Sequence, residues 1–268
     1  VRAVARAELS ADGVVTVEMD TAATPLSLAA SDRREFVAEA ASLRPLLHPG
    51  HVAVVRVRPD GTGIGAAILE AILEGGFTGD VVAVHPAGEV SAAVPTVRGY
   101  DELAEAPDLV VVAVPPQRVV EAVVEAARHG VRAAVVVTSG FAELGAAGAD
   151  LQRELTRASR DHGIRVVGPN CLGLLDNQPD VRLDATFGPT SCRPGGLAIA
   201  SQSGGVGVAL MSACNERGLG VSAFVSLGNK IDVAGTDLLH AWTEDPTVRA
   251  AVLYLESFGD PLRFGRAA

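Results

Sequence analysis

The stretch Ser201-Gln202-Ser203-Gly204-Gly205 has residue types that suit the binding of a small anion. Before it, Leu197-Ala198-Ile199-Ala200 reads as a short buried strand. After it, residues 206–217 read as a helix with Val206, Leu210, Met211 and Cys214 on one face. A strand, a small-residue turn and a helix start leave several backbone N–H groups unpaired and aimed at one point. The helix dipole adds partial positive charge there, and Ser201 and Ser203 add two hydroxyl donors. The result is an anion cradle without a lysine, with Ser201, Ser203, Gly204 and Gly205 as its residues. A plain turn with a serine N-cap uses the same residue types, and the local sequence carries both readings.

A second candidate is Arg58-Pro59-Asp60-Gly61-Thr62-Gly63-Ile64-Gly65, a Gly-rich turn between an apolar strand (51–57) and a helix (66–73). Its glycines let backbone approach a phosphate, and Arg58 is either a phosphate partner or a solvated loop charge. A dinucleotide site of the NAD type also needs an acid at the end of the second strand. Here that position holds His85-Pro86, which cannot grip a ribose diol, so a dehydrogenase is disfavoured. Other strand ends carry Val114-Pro115-Pro116, Thr138-Ser139-Gly140 and Gly168-Pro169-Asn170-Cys171. Asn170 can cap a turn or touch a ligand. A cysteine such as Cys171 is more often an inert buried residue than a reactive one. His85 reads as a turn residue and His240, near Trp242, as a packing residue. Glu256 follows an apolar strand and needs a partner if buried. No Ser-His-Asp arrangement or close carboxylate pair stands out.

The elements that must position these groups follow a βαβ rhythm. Strands are read at 51–57, 81–84, 109–114, 133–137 and 164–167, with helices at 66–73, 117–128 and 145–162. Gly130 sits just past the second of these helices, as a helix stop does. Val-rich strands alternating with helices predict an α/β fold with a doubly wound parallel sheet. Residues 168–195 read as loop, with a domain boundary within 176–194. A second unit repeats the rhythm with strands at 197–200, 221–227 and 250–255 and a helix at about 236–244. Upstream, Val4–Leu9 and 14–19 around Ala11-Asp12-Gly13 read as a β-hairpin, 31–43 as a charged helix and 46–50 as linker.

With 48% hydrophobic but only 4% aromatic residues, the cores must be built from Ala, Val and Leu. The net charge of -10 argues against nucleic acid as a partner, while a few local donors still suffice for an anionic ligand. Three cysteines, Cys171, Cys192 and Cys214, fit no zinc spacing and suit a reducing cytoplasm. No apolar run reaches membrane-spanning length, so no membrane partner is expected. The start, Val1-Arg2-Ala3, reads as part of something longer.

Gly168-Pro169-Asn170-Cys171-Leu172-Gly173, then Ser201-Gln202-Ser203-Gly204-Gly205, then Ser226-Leu227-Gly228-Asn229-Lys230 resemble the NDP-forming acyl-CoA synthetases, such as ADP-forming acetate–CoA ligase. These are related to the α subunit of succinyl-CoA synthetase. The resemblance covers about residues 46–268. It implies a Rossmann-like CoA-binding domain (46–185) and a flavodoxin-like succinyl-CoA synthetase-type domain (186–268), after a hairpin and helix (1–45). It implies that CoA is held by Arg58, Thr62, Gly63, Gly65, Val114, Pro115, Thr138, Ser139, Asn170 and Cys171, the last two near its thiol end. The cradle would receive the phosphate of a phosphohistidine, and Glu256 in Tyr254-Leu255-Glu256 matches the glutamate that orients that histidine. The implied reaction interconverts acyl-CoA, ADP and phosphate with acid, CoA and ATP. It needs an ATP-grasp domain or subunit to bind ATP, ADP and magnesium, and an oligomeric assembly is expected. The histidine is expected beyond Ala268, so the chain alone is expected to have no ligase turnover. One departure from the pattern is Val55-Arg56-Val57-Arg58, where the family's first strand ends in Val-Gly-Ala-Ser. The hairpin resembles the tail of a GNAT acetyltransferase domain, which makes a CoA- or acyl-CoA-sensing regulatory module the alternative function.

Overall fold

The computed structural model describes residues 4–19, 25–58, 60–88, 93–259, 261 and 264–265. Pro59 of the Gly-rich turn and residues 1–3 and 20–22 around the hairpin lie outside them. The hairpin is formed by β1 (Val4–Leu9) and β2 (Val15–Met19), which pair antiparallel. Helix α1 (Pro25–Ser42) starts earlier than its charged residues indicate, because a proline suits a first helical turn. The stretch read as linker holds a further helical turn, α2 (Arg44–Leu47), whose Pro45, Leu46 and Leu47 are buried. Apolar side chains there serve the core rather than a hinge.

Six parallel strands form the first sheet: β3 (His51–Val55), β4 (Asp80–Val84), β5 (Thr96–Val97), β6 (Leu109–Val112), β7 (Ala133–Val136) and β8 (Arg165–Val167). They lie in the order β5-β4-β3-β6-β7-β8. Helices α3 (Ile64–Gly75), α4 (Pro116–Arg128) and α5 (Ala146–His162) connect them. The loop read at 168–195 contains two strands, β9 (Gly173–Asp176) and β10 (Leu183–Thr186). Both belong to the second sheet, whose order is β10-β9-β12-β11-β13. There β11 (Pro194–Ser201), β12 (Val221–Ser226) and β13 (Ala250–Tyr254) run parallel, while β9 and β10 are antiparallel. Helix α6 (Gly204–Glu216) follows β11, and α7 (Gly235–Glu244) precedes β13. The short antiparallel strands escaped the sequence reading because Gly, Asn, Asp and Pro surround them.

Alternation along the strands explains how the layers stack. Val52, Val54, Leu109 and Val111 face one core, and Ala53, Val55, Val110 and Val112 face another, built with α4 and α5. The first of these cores also takes Leu174, Leu183, Ala198, Ala200, Val225 and Leu238 of the second sheet and α7. The two sheets therefore share one apolar interior, with α3 packed on β10 between them. A third core joins Ile199, Phe224, Met211 and Cys214 under α6. Among the described residues, no helix is long and apolar enough to cross a membrane.

Arg165 of β8 fastens this assembly. Its guanidinium reaches Asp232 at 2.9 Å, Glu39 of α1 at 2.6 Å and Asp237 of α7 at 3.4 Å. Asp232 also accepts from the Val166 amide at 2.8 Å, and Asp237 accepts from the Ala234 amide at 2.9 Å. A planar cation with several donors suits three carboxylates arriving from different elements. Removing one partner of a buried ionic cluster leaves uncompensated charge, so Arg165→Met is expected to cost about 3 kcal/mol of stability. Urea unfolding measures this; a loss below about 0.5 kcal/mol would show that the cluster is dispensable.

Candidate functional site

In open α/β sheets, ligands bind beyond the carboxyl ends of the strands, where the strand order reverses. The first sheet reverses between β3 and β6, and the parallel part of the second reverses between β11 and β13. Both crevices contain sequence-predicted residues.

At the first reversal, the chain leaves β3 through Arg56, which has φ 58°, and its amide donates to Val84 O at 2.8 Å. Asp60 closes the Gly-rich turn by accepting from the Thr62 amide at 3.0 Å and the Thr62 hydroxyl at 2.6 Å. These hydrogen bonds hold the Asp60 carboxyl below its ordinary range, with a further pull from Arg58 at 3.6 Å. Arg58 thus balances the turn's own carboxylate. Gly63 then precedes α3 with φ 87°, and no side chain caps that helix. The amino end of α3 is left to backbone N–H groups and the helix dipole. Gly65 brings α3 against the neighbouring strand end, because a Cβ there would lie 3.5 Å from Ala113 Cβ and 3.7 Å from Val57 Cα.

The opposite wall is Val114-Pro115, with Pro115 at the N-cap of α4. Thr138 donates its hydroxyl to Val114 O at 2.7 Å, tying the ends of β6 and β7 together. Ser139 beside it is exposed. Sequence reasoning missed a depression next to this crevice. Arg56, Arg98 and Arg118 line it beside Val84, Pro86 and the buried Tyr100. Burial, with a smaller contribution from Glu125, raises the Tyr100 hydroxyl above its ordinary pKa. Arg118 had a sequence signal, lying just inside the start of α4; Arg98 had none, because its segment has no periodicity.

A seam joins this crevice to the second. The loop after β12 runs along the segment leaving β8. The amides of Asn229, Ile231 and Val233 donate to the carbonyls of Pro169 (2.9 Å), Gly168 (3.2 Å) and Val166 (3.1 Å). Gly228 is required there: its φ is +54°, and a Cβ would lie 2.2 Å from Pro169 O. Asn229 receives the Asn170 amide at 3.2 Å and donates to Glu143 at 2.6 Å and to Gln152 at 2.8 Å. Cys171 is different. Its side chain turns inward, 4% exposed, with Sγ 3.4 Å from Val136 O, and burial pushes the thiol up to about 12. Only its backbone is left to face the strand-end crevice.

At the second reversal, Ser201 is fully buried and donates its hydroxyl to Ser203 O at 2.6 Å. It shapes the turn, and its proton is not offered to an anion. This corrects the expectation of two free hydroxyl donors. Ser203 is the N-cap of α6, and its Oγ accepts from the Val206 amide at 3.4 Å, leaving its own proton to donate. The cap and the anion site, weighed as alternatives from sequence, are thus compatible in one residue. Gly204 packs on Leu172, and nothing lies within 4 Å of where a Gly205 Cβ would stand. Gln202, missed as a site residue, organises the surroundings. Its amide donates to Tyr254 O at 2.9 Å, and its Oε1 accepts from the amides of Glu256 (3.0 Å) and Ser257 (3.4 Å) and from Lys230 Nζ (3.4 Å). A lysine does stand at this turn, contrary to the sequence reading. Glu256 is exposed, because β13 is a half-exposed edge strand rather than a buried one. His240 packs on Phe36, with ring centroids 4.7 Å apart.

Two family models match the chain. Residues 50–177 match a CoA binding domain, and 194–268 match a succinyl-CoA ligase like flavodoxin domain. The α subunit of ADP-forming acetate–CoA ligase I from Pyrococcus furiosus is 36% identical over 231 residues, 85% of this chain and 50% of that one. The chain belongs to the NDP-forming acyl-CoA synthetase family. ADP-forming acetate–CoA ligase I of Archaeoglobus fulgidus is 34% identical over 83% of this chain and 32% of its own length. Among solved structures, the dinucleotide forming acetyl-coenzyme A synthetase 1 of Ca. Korarchaeum cryptofilum, in complex with phosphate and ADP, superposes with a TM-score of 0.77. It is 37% identical, covering 84% of this chain and 47% of that one. The chain thus spans about half the length of the α subunit it matches, and less of the longer relative. It resembles the CoA-binding α portion of these synthetases.

Asn229 offers a direct check on the seam. Burial opposes ionisation of Glu143, but hydrogen bonds from Asn229, Gly140 and Phe141 outweigh it and hold its carboxyl below the ordinary range. A lowered carboxyl contributes stability above its unfolded pKa of about 4.3 and loses it as pH falls through the folded value. Asn229→Leu is expected to flatten that acid-side loss. Thermal unfolding of both proteins between about pH 3 and about pH 6 reads it; parallel curves would show that the bond to Glu143 is not formed.

Proposed function

We propose that this chain is the CoA-binding and ligase-like portion of an ADP-forming acyl-CoA synthetase. The complete enzyme would interconvert acyl-CoA, ADP and phosphate with acid, CoA and ATP, and a partner ATP-grasp domain or subunit would supply the nucleotide site. One observation carries the reading. Each sheet has a strand-end crevice at a reversal of strand order, and the exits of β8 and β12, one from each sheet, are bonded along the Asn170–Asn229 seam. A CoA held at the first would present its thiol toward the second.

Each side chain then has a defined task. The backbone from Thr62 to Gly65 and the start of α3 receive phosphate oxygens of CoA. Arg56 and Arg98 offer charge to any further phosphate, while Arg118 is paired with Glu121 at 2.7 Å. Val114, Pro115, Thr138 and Ser139 form the wall along which the arm of CoA lies, and Asn170 stands near its end. At the second crevice, Ser203 and the amides of Gly204 and Gly205 hold a phosphoryl group. Hydrogen bonds to an ionised group contribute about 1.5–3 kcal/mol each, against about 0.3–1 kcal/mol from an exposed helix dipole, so the donors dominate. Glu256, exposed beside them, can accept a proton-bearing ring nitrogen and orient an imidazole. The six histidines of the chain, His48, His51, His85, His129, His162 and His240, belong to other elements. The phosphorylated histidine would come from outside residues 1–268.

Calorimetry with CoA tests the first crevice. Gly63→Val would force a β-branched residue into φ +87°, with a Cβ 3.3 Å from Arg58 Cδ. It is expected to weaken CoA binding at least about tenfold, while Ser203→Ala leaves it unchanged. Equal affinity in Gly63→Val, or no CoA binding by the unaltered chain, would contradict the assignment.

A further inference from the structure

The basic residues of this chain are strongly uneven: 21 are arginine and one, Lys230, is lysine. That lone lysine stands at the second crevice. Its Nζ contacts Gln202 Oε1 at 3.4 Å and Ser257 Oγ at 2.8 Å, and it also bonds Ser257 O. Three acceptors converging on one atom suit an ammonium with three donors, and a planar guanidinium cannot reproduce that convergence. The residue adopts φ +54°, a conformation that costs a side-chain-bearing residue energy and is found where structure around it holds it. Its backbone amide donates to Leu227 O at 3.1 Å, closing the turn that Gly228 and Asn229 anchor on the seam.

The location is more telling than the bonds. Gln202 lies between Ser201 and Ser203, at the amino end of α6, and the same Oε1 that meets Lys230 caps the amides of Glu256 and Ser257. Lys230 thus stands between the anion turn and the segment that carries Glu256. Of its three contacts, the one to Gln202 is the longest and the easiest to exchange. Partial burial pulls the ammonium's pKa down, and nearby Glu256 pulls it back up, so an added anion would favour the charged form further.

We propose that Lys230 is the charge-bearing residue of the α6 anion site, exchanging its Gln202 contact for an oxygen of a bound phosphoryl group. The proposal rests on the reading of Ser203 to Gly205 as a phosphate site and adds a cation to its uncharged donors. It also explains why arginine has not taken this position: the phosphoryl group would be met by a compact ammonium tied to the Glu256 segment, not by a fork that displaces Ser257.

Having a single lysine makes the test direct. The unaltered chain is treated with acetic anhydride, with and without inorganic phosphate at matched ionic strength, and acetylation of Lys230 is read by peptide mass spectrometry. The α-amino group serves as the internal reference. Phosphate is expected to slow acetylation of Lys230 at least about threefold relative to that reference, because a bound anion both shields the amine and keeps it protonated. In calorimetry, Lys230→Met is expected to weaken phosphate binding about tenfold, the loss of one charge-assisted bond, with Lys230→Arg recovering only part of it. A lysine that merely braces the fold would show no phosphate-dependent protection. If phosphate binds the unaltered chain, but Lys230 is acetylated equally fast and Lys230→Met binds as tightly, Lys230 is a brace and the phosphate site stands without it. If phosphate does not bind the unaltered chain, both fail. Should Lys230→Met not fold, the acetylation result on the unaltered chain decides.

Discussion

Three backbone hydrogen bonds hold the two halves of this protein in register. The amides of Asn229, Ile231 and Val233 donate to the carbonyls of Pro169, Gly168 and Val166, so the exit of the second sheet runs along the exit of the first. Everything proposed for function depends on this. A crevice at the end of one sheet and a crevice at the end of another are unrelated unless something fixes the distance between them. Here the fixing element is the backbone itself, backed by the Asn229 side chain on Glu143, Gln152 and Asn170 and by Arg165 a few residues upstream. The shared apolar interior beneath supplies the bulk of the stabilisation, and the polar seam supplies the register.

The charge distribution follows the same logic. A chain of net charge -10 is an unpromising receptor for phosphorylated ligands, yet it gathers positive potential locally. Arg56 and Arg98 line the depression beside β3 and β4, where Arg118 is paired with Glu121 at 2.7 Å and Glu125 stands nearby, Arg58 offsets Asp60 within the Gly-rich turn, and the sole lysine stands at the α6 turn. Oriented amides at the two helix starts add donors without adding net charge.

Much of this was legible in the residues. Val-rich strands between amphipathic helices gave the parallel sheet, and the small-residue runs fell at strand ends, where this fold binds ligands. What was not legible has physical reasons. Leu46 and Leu47 between helix and strand look like a linker until tertiary burial is known. Strands β9 and β10 are four residues each and pair antiparallel, so they lack the long apolar run of the parallel strands. Ser201 and Cys171 sit in motifs that suggest donors, but sequence does not reveal which way a side chain points. Ser201 turns to its own loop and Cys171 to the Val136 carbonyl. Gln202 and Lys230 work through partners 54 and 27 residues away, at Glu256 and Ser257, beyond any local pattern.

On the proposed function, the two crevices face one another across the seam. A crystal structure of the chain with CoA and inorganic phosphate measures it most directly. The CoA phosphates are expected at Thr62 to Gly65, the thiol end at Asn170 and Asn229, and a phosphate on the amides of Gly204 and Gly205. CoA bound elsewhere, or lying in the first crevice with its thiol directed away from the seam, would contradict it.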